Sequence, residues 1–458
     1  MSVSVESPAA PRIVTLREAF RFWLKLGFIS FGGPAGQVAV MHRELVERKR
    51  WISEGRFLHA LNYCMLLPGP EATQLAIYIG WLLHGTAGGV IAGVLFVLPG
   101  ALILVGLSWA YVTLGKLPVA AGILYGFKAA VVALVLTAIL RIGKRAVRGI
   151  FPACVAAAAF ALTAFASVPF PLLVLGAGLL GMLIERLAPG AFKAPAHSKP
   201  KPDSHTDTGR AEAPLPILLD DHSPTPPHAQ LRWARLAMIA IVFAALLALP
   251  LAGLALWRGY DDVFARMGRF FTLAAFVTIG GAYAVLPYVT EMATKTYGWL
   301  KSGQMMDGLA LGETTPGPLI LVLTFVGFVG GWNTQHAQMG PAGALCGAAV
   351  ATYFTFVPSF MFILLGGPFV ERTRGELRLG AIMSAITCAV VGVIANLAVL
   401  FGGHVLFPTT TRRPDFVALV LIVAACLALE WKKWDVVAVV LSFGAIGVAL
   451  MLAGLSPA

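Results

Sequence analysis

The sequence predicts an all-α polytopic membrane protein with two homologous halves in inverted topology and about 10–13 transmembrane helical segments. Three observations lead to this prediction. Of the 458 residues, 58% are hydrophobic and only 12% are charged, whereas soluble proteins contain about 25% charged residues. Apolar runs of about 20 residues, long enough to cross a bilayer, recur along the chain. Finally, two Pro-Gly-Pro motifs interrupt apolar runs at matching positions of the two halves.

The chain divides into five predicted segments. They are a disordered N-terminus (1–12), a first repeat (13–187), a disordered linker (188–231), a connecting transmembrane helix (232–257) and a second repeat (258–458). The N-terminus lacks the apolar core of a cleaved signal peptide. The linker holds nine prolines between Pro189 and Pro227, which is typical of extended, disordered chain. Its histidines fit ordinary polar linker residues better than a weak metal site; they are His197, His205, His222 and His228.

The first repeat begins with two interrupted helical runs. Gly32-Gly33-Pro34 lies in the middle of the run 15–41, and Pro68-Gly69-Pro70 lies in the middle of the run 57–83. Proline removes a backbone donor and clashes with the preceding turn, and glycine lowers helix stability. We therefore predict broken or re-entrant helices here, followed by four ordinary spans at about 88–114, 119–140, 149–167 and 170–187.

The second half repeats this pattern. A constant offset of 248 residues aligns Gly32-Gly33 with Gly280-Gly281, Trp51 with Trp299, and Pro68-Gly69-Pro70 with Pro316-Gly317-Pro318. No gap is needed between these positions, so the chain contains an internal duplication. We interpret the two matched tryptophans as anchors at the membrane interface. The span 232–257 has no counterpart in the first half, and it supplies the extra crossing that inverts the second repeat.

The distribution of Lys and Arg indicates the inversion. The loop 42–56 has five basic residues and its counterpart 290–303 has two, whereas the later loop at Lys116 has one against three in its counterpart 372–378. Basic loops mark the cytoplasmic side, so the bias changes sides between the halves. This bias toward basic cytoplasmic loops also explains the net charge of +12, so the charge does not indicate binding to nucleic acid. If the first two segments are re-entrant and do not cross the membrane fully, the basic loop 42–56 stays on the cytoplasmic side. This arrangement is favoured over two full crossings.

The breaks predict an anion-binding site. A broken helix exposes N–H groups at a new N-terminus, where the helix dipole adds partial positive charge. The alternative is that Pro and Gly merely kink these helices, but four breaks in repeat register favour a binding site. The predicted substrate-binding residues at the breaks are Gly32, Gly33, Pro34, Pro68, Gly69, Pro70, Glu71, Thr73, Gln74, Gly280, Gly281, Glu313, Thr314, Thr315, Pro316, Gly317 and Pro318.

Four ionisable residues in apolar surroundings add to this site. Lys128 is also a predicted substrate-binding residue, which either contacts the anion or pairs with a carboxylate. Lys25 is either a second cationic candidate or a side chain that reaches back to the interface. Glu71 and Glu313 would repel an anion if ionised. Such a carboxylate either carries a coupling proton or forms an ion pair with Lys128.

The sequence gives no sign of a cofactor, a metal site or ATP-driven transport. The five cysteines are scattered without a CxxC pair, so neither a disulfide framework nor a zinc site is indicated. The chain contains no P-loop pattern. A membrane-embedded redox enzyme is therefore only a remote alternative, and we expect no enzyme activity.

The motifs resemble those of the chromate ion transporter family in its long form, with two fused halves. The resemblance rests on Phe31-Gly-Gly-Pro34, the run 66–85 around the first Pro-Gly-Pro, and Glu313-Thr-Thr-Pro-Gly-Pro318 with Phe325-Val-Gly-Phe328. It implies an inner-membrane carrier, a secondary transporter or antiporter that exports chromate from the cytoplasm and confers resistance. Chromate is a tetrahedral dianion shaped like sulfate, so sulfate is the expected competitor, and sulfate or oxyanion exchange is the alternative function. The implied partners are chromate and the lipid bilayer, not nucleic acid, with a homodimer left open.

Overall fold

The structure is a computed structural model of the chain. It describes residues 14–115, 117–166, 168–187, 217–220, 223, 226–279, 281–372, 380–408 and 414–454. Gly280 and three of the four linker histidines (His197, His205 and His222) lie outside the described residues.

Seven α-helices make up the described part of the first repeat. They are α1 (Leu16–Ile29), α2 (Gly33–His42), α3 (Glu54–Cys64), α4 (Glu71–Leu114), α5 (Pro118–Ala146), α6 (Ile150–Phe165) and α7 (Phe170–Leu187). A short π-helix, Arg43–Arg48, continues α2. The backbone of α4 is non-helical at His84 and Gly85, so α4 consists of two helices joined at a kink. The chain breaks at Gly32 and at Pro68-Gly69-Pro70, where the sequence predicts it to break.

A connecting helix, α8 (Trp233–Arg258), leads into the second repeat. The described helices that follow are α9 (Val263–Val277), α10 (Ala282–Glu291), α11 (Ser302–Thr314), α12 (Val322–Met339), α13 (Pro341–Arg372), α14 (Gly380–Leu406), α15 (Phe416–Glu430) and α16 (Val436–Leu452). A π-helix, Met292–Thr296, continues α10, and a 3-10 helix, Leu319–Leu321, precedes α12.

The backbone of the second repeat reproduces that of the first. Gly69 and Gly317 both have positive φ, at 122° and 94°. Gly85 (φ 63°), at the kink of α4, and Gly340 (φ 56°), between α12 and α13, also have positive φ and each separates two consecutive helices, although they do not align at the offset of 248. Because only glycine adopts these conformations readily, the matched glycines impose the same chain path in both halves.

Within the described ranges, six helices are long and apolar enough to cross a membrane, namely α4, α5, α7, α8, α13 and α14. Three shorter apolar helices, α6, α15 and α16, accompany them. Many large apolar side chains on these helices are exposed, as in α8, where Ile241 is 69% and Leu249 is 70% exposed. An apolar exterior of this kind fits a lipid environment, so the chain is a multi-pass membrane protein.

Helices of each repeat pack against helices of the other repeat, in a reciprocal arrangement. In the first repeat, α5 packs against α15 and α16 of the second, whereas α14 of the second repeat packs against α6 and α7 of the first. The helices α4 and α13, which correspond to each other, also pack together. Buried apolar residues from both repeats consequently share one large core cluster.

Residues 217–231 of the predicted linker make defined contacts where they are described. Leu219 donates to the Trp51 carbonyl oxygen (3.1 Å) and accepts from the Ser53 N–H (2.9 Å), in a short parallel β-bridge with the loop after α2. His228 packs against the Trp81 ring, and burial lowers the pKa of its imidazole. The described residues contain no cluster of three metal-ligating side chains.

Trp51 and Trp299 are not interfacial anchors, contrary to the sequence interpretation. Both are buried, with 4% and 2% exposure. Trp51 packs edge-on against Phe22, and Trp299 packs edge-on against Phe270. Because Phe22 and Phe270 also match at the offset of 248, the tryptophans belong to a core contact that the duplication has preserved.

Candidate functional site

Each of the four breaks is the start of a helix. Gly32 precedes α2 with Gly33 and Pro34 in its first turn, Pro70 precedes α4, Gly281 precedes α10, and Pro318 precedes the 3-10 helix that leads into α12. Among the residues that the structure describes, no side chain caps any of these four N-termini. Their N–H groups therefore keep the capacity to bind an anion.

Reciprocal backbone hydrogen bonds join the breaks in two pairs. The Gly69 N–H donates to the Thr278 carbonyl oxygen (2.7 Å), and the Gly317 N–H donates to the Ser30 carbonyl oxygen (2.8 Å). Gly69 and Gly317 occupy matching positions, and so do Ser30 and Thr278. Each Pro-Gly-Pro thus meets the end of the first helix, α1 or α9, of the opposite repeat.

The Pro-Gly-Pro turns also pack against the long helix of the opposite repeat. A Cβ atom on Gly69 would lie 2.9 Å from the Ser359 hydroxyl of α13, and one on Gly317 would lie 3.5 Å from the Phe96 carbonyl oxygen of α4. On α4, Gly100 touches the Pro316 carbonyl. Gly100 and Ser359 each follow the proline inside their helix, so these packing contacts are reciprocal as well.

Several buried polar atoms close to the breaks lack a hydrogen-bond partner among the described residues. They are the hydroxyl oxygens of Thr73 and Thr355 and the amide oxygens of Gln37 and Gln74. The amide nitrogen of Gln37 donates to the Gly317 carbonyl oxygen, and that of Gln74 donates to the Pro68 carbonyl oxygen (2.6 Å). Buried polar groups usually have partners, so these atoms are available to a ligand. The two threonine hydroxyls are the donors that an oxyanion needs.

Thr314 and Thr315 have a different role in this structure. The Thr314 hydroxyl donates to the Leu311 carbonyl oxygen and the Thr315 hydroxyl donates to the Gly312 carbonyl oxygen, both at 2.8 Å. These bonds satisfy carbonyl groups in the last turn of α11. Both hydroxyls therefore stabilise the helix end at the break.

Three carboxylates surround the breaks. An oxygen of Glu71 lies 3.5 Å from the position that a Cβ atom would take on Gly281, and an oxygen of Asp435 lies 3.7 Å from that position on Gly32. Glu313 accepts a hydrogen bond from the Tyr283 hydroxyl (2.6 Å). Within the described part of the chain, no Lys, Arg or His side chain pairs with Glu71 or Glu313. The sequence reasoning included the two glutamates but missed Tyr283 and Asp435.

Lys128 pairs with a carboxylate that the sequence reasoning did not consider. Its Nζ atom lies 3.7 Å from Asp307 of α11, and the Tyr111 hydroxyl donates to the other oxygen of Asp307 (3.0 Å). The predicted alternative of an ion pair between Lys128 and Glu71 is not what the structure has. Asp307 precedes the second Pro-Gly-Pro by nine residues, or about two and a half helical turns, so Lys128 lies apart from the breaks. The sequence did offer one indication of this pair, because Asp307 is an isolated acid in the helical run before Glu313.

The fold and these breaks define a class, namely all-helical membrane proteins built from two homologous repeats with interrupted helices. The family model described as "Chromate transporter" matches residues 17–182 and 265–448, one match in each repeat. The chain belongs to this family. It is a family of transporters, so the enzyme alternative is set aside.

Curated relatives agree with the family match over nearly the whole chain. A chromate transport protein of Pseudomonas aeruginosa is 33% identical over 96% of this chain and 93% of its own length. A chromate transport protein of Cupriavidus metallidurans is 27% identical over 92% and 89%, and a probable chromate transport protein of Synechococcus elongatus is 27% identical over 89% of both chains. No solved structure matches the chain.

Proposed function

We propose that this chain is a secondary transporter of the inner membrane that exports chromate from the cytoplasm and so confers chromate resistance. The chromate substrate follows from the names of the three relatives described above. The interrupted helices provide a physical basis for binding it, because they offer donors to an anion without placing a fixed cation in the membrane.

The reciprocal pairing of the breaks is the observation that carries this proposal. The bonds from Gly69 to Thr278 and from Gly317 to Ser30 hold four uncapped helix N-termini in two pairs, each pair drawn from both repeats. Each N-terminus carries roughly half a positive charge, so together they can offset a dianion. The Thr73 hydroxyl, in the first turn of α4, would add a neutral donor.

The direction of transport follows from the membrane potential. The basic loop 42–56 is assigned to the cytoplasm by the positive-inside rule. An interior-negative potential favours outward movement of a dianion by roughly 2.3 kcal/mol per charge per 100 mV. Export therefore needs no ATP-binding motif in this chain.

Glu71 and Glu313 are proposed to carry coupling protons. Both lie at breaks, and Glu71 faces Gly281 of the opposite repeat. An ionised carboxylate at that place would repel the substrate, whereas a protonated one would not. Buried acids in membrane segments commonly serve proton relays, and because chromate would bind beside a protonated acid, movement of protons together with chromate is the coupling that this arrangement favours.

Chromate uptake by everted membrane vesicles tests the proposal, because the cytoplasmic face of such vesicles faces the medium. We expect a lumen-positive potential or an imposed pH gradient to drive chromate into the vesicles and sulfate to compete. If neither gradient drives uptake above that of vesicles without the protein, export is wrong. If sulfate accumulates and chromate does not, the alternative of a sulfate carrier replaces it.

A threonine pair tests the site within the same assay. Thr73→Val removes a buried hydroxyl without a partner, so we expect a higher KM for chromate. Thr113→Val, on the same helix, is the control, because Thr113 is exposed and its hydroxyl donates to the Trp109 carbonyl oxygen (2.8 Å). Equal KM values for the two variants, with equal amounts of inserted protein, would remove Thr73 from the site.

A further inference from the structure

A basic groove runs along α1. It has a volume of about 350 Å³ and contains four cationic side chains. The residues that line it are Thr15, Arg17, Glu18, Arg21, Phe22, Lys25, Glu44 and Lys49.

Three of the cations form a ladder on α1. Arg17, Arg21 and Lys25 follow one another at intervals of four residues, so they lie along one side of the helix. Helical rise separates Arg17 from Lys25 by about 12 Å. The opposite side of α1 carries buried residues such as Trp23 and Leu26, which anchor the helix and keep the ladder facing outward.

The acids in the groove are already paired. Lys49 lies 3.6 Å from Glu18, and Arg48 lies 2.6 Å from Glu44. Among the described residues, no carboxylate pairs with the ladder of Arg17, Arg21 and Lys25. The groove therefore has an excess of positive charge in a concave surface, which concentrates small anions.

The ladder leads toward a break. Lys25 precedes Ser30 by five residues, or about 7.5 Å of helix. The Ser30 carbonyl accepts the hydrogen bond from Gly317, which joins the first repeat to the second Pro-Gly-Pro. At the other end, α1 begins beside Glu44 and Lys49 in the basic region that the positive-inside rule assigns to the cytoplasm.

The second repeat does not reproduce this feature. At the offset of 248, Arg17 corresponds to Ala265 and Lys25 to Leu273. Only Arg21 has a basic counterpart, Arg269, whose guanidinium stacks on the Tyr260 ring at 3.7 Å. The ladder is thus not a by-product of the duplication, and it belongs to one face of the membrane.

We propose that this groove is a second oxyanion-binding site, which collects tetrahedral dianions such as chromate and sulfate on the cytoplasmic side and delivers them to the break at Ser30. The proposal rests on the export function proposed above. The groove is open and the three side chains of its ladder are exposed, so it binds weakly and releases its anion readily toward the break.

Kinetics in phosphatidylcholine proteoliposomes whose cytoplasmic protein face is toward the medium test the groove. The triple variant R17Q/R21Q/K25Q should raise the KM for chromate about 10-fold, the lower end of what electrostatic focusing achieves, with a maximal rate within about twofold of the unmodified protein. Its KM should also lose most of its dependence on ionic strength. Lys295→Gln, an exposed lysine in the second repeat, is the control and should change neither quantity.

Chemical protection gives a readout that does not depend on transport. An amine-reactive reagent should label Lys25 more slowly in the presence of sulfate, whereas labelling of Lys295 should not change. Mass spectrometry of the purified full-length protein measures both sites. Equal labelling of Lys25 with and without sulfate would overturn the proposal.

The outcomes separate this proposal from the proposed function. If the unmodified protein transports chromate but the triple variant keeps the same KM and salt dependence, the proposed role of the groove is refuted and the proposed export function is retained. If no chromate is transported, the labelling experiment decides whether the groove binds a dianion. If the variant differs only in vesicles with anionic lipid, the groove holds a lipid phosphate, and the proposal is overturned.

Discussion

Gly100 offers a sharp test of the contact between the repeats. A methyl group at this position of α4 would overlap the Pro316 carbonyl oxygen and would lie 2.6 Å from Leu321 Cδ1. Carbon atoms in contact are ordinarily about 3.5–4.0 Å apart, so the second Pro-Gly-Pro would have to retreat by about 1 Å. Gly100 lies in regular helix, so alanine itself brings no backbone strain there. Any loss in Gly100→Ala must therefore come from the contact.

The expected magnitude follows from this overlap. Overpacking of a well-packed interior costs about 1–3 kcal/mol, and a positioning error of about 1 Å can reduce the rate of a site by about 100-fold. We expect Gly100→Ala to lower chromate flux at least 5-fold and to lower the melting temperature of the purified protein. Flux in everted vesicles and thermal unfolding measure the two effects.

Gly106→Ala is the matched control on the same helix. No atom of the described residues lies within 4 Å of a Cβ atom at Gly106, and alanine is favoured over glycine inside a helix by about 0.5–1 kcal/mol. We expect this variant to equal or exceed the unmodified protein in stability and to keep its flux. If Gly100→Ala behaves like Gly106→Ala in both measurements, the contact between the repeats is not as described and the paired breaks lose their support.

Three further predictions concern charged residues. Arg56→Met should destabilise the protein by about 3–5 kcal/mol, because the buried Glu371 carboxylate, 1% exposed, loses the guanidinium that lies 2.8 Å away. The double variant with Glu371→Met should recover part of the lost melting temperature. If Arg56→Met is as stable as the unmodified protein, this buried ion pair does not stabilise the fold. Glu71→Gln should weaken the response of chromate flux to an imposed pH gradient, because Glu313 can still carry a proton, but keep the response to membrane potential. An unchanged pH response would exclude Glu71 as a proton carrier. Lys128→Met should reduce the yield of folded protein, because it removes the cation that pairs with Asp307. Adding Asp307→Asn should restore both the yield and the chromate flux. If the double variant folds but does not transport chromate, Lys128 contacts the substrate instead.

The sequence was sufficient to predict the fold class and the duplication. Four interruptions at one constant offset indicated two repeats, and the family model matches once in each. The structure then has breaks at Gly32 and at the two Pro-Gly-Pro motifs. These features are local, because proline and glycine act on their own turn of helix, and local features can be read from a sequence.

The partners of the breaks could not be predicted in the same way. The bond from Gly69 to Thr278 joins two backbone groups, so no side-chain type indicates it. The pair of Lys128 and Asp307 depends on how α5 crosses α11, which helical periodicity does not contain. Trp51 and Trp299 were misinterpreted for a related reason. Their match across the repeats indicated a preserved role, but only the packing against Phe22 and Phe270 distinguishes a core position from an interfacial one.

Fusion of the two repeats into one chain has a consequence for the carboxylates at the breaks. Glu71 corresponds to Leu319 in the second repeat, and Glu313 corresponds to Met65 in the first. Two identical subunits related by a two-fold axis would have to carry each acid twice or not at all. A single gene for both halves removes that constraint, so each half evolved its own acid. The backbone at the breaks kept its two-fold symmetry, whereas each of the two glutamates that can hold a proton occurs in one repeat and has no acidic counterpart in the other.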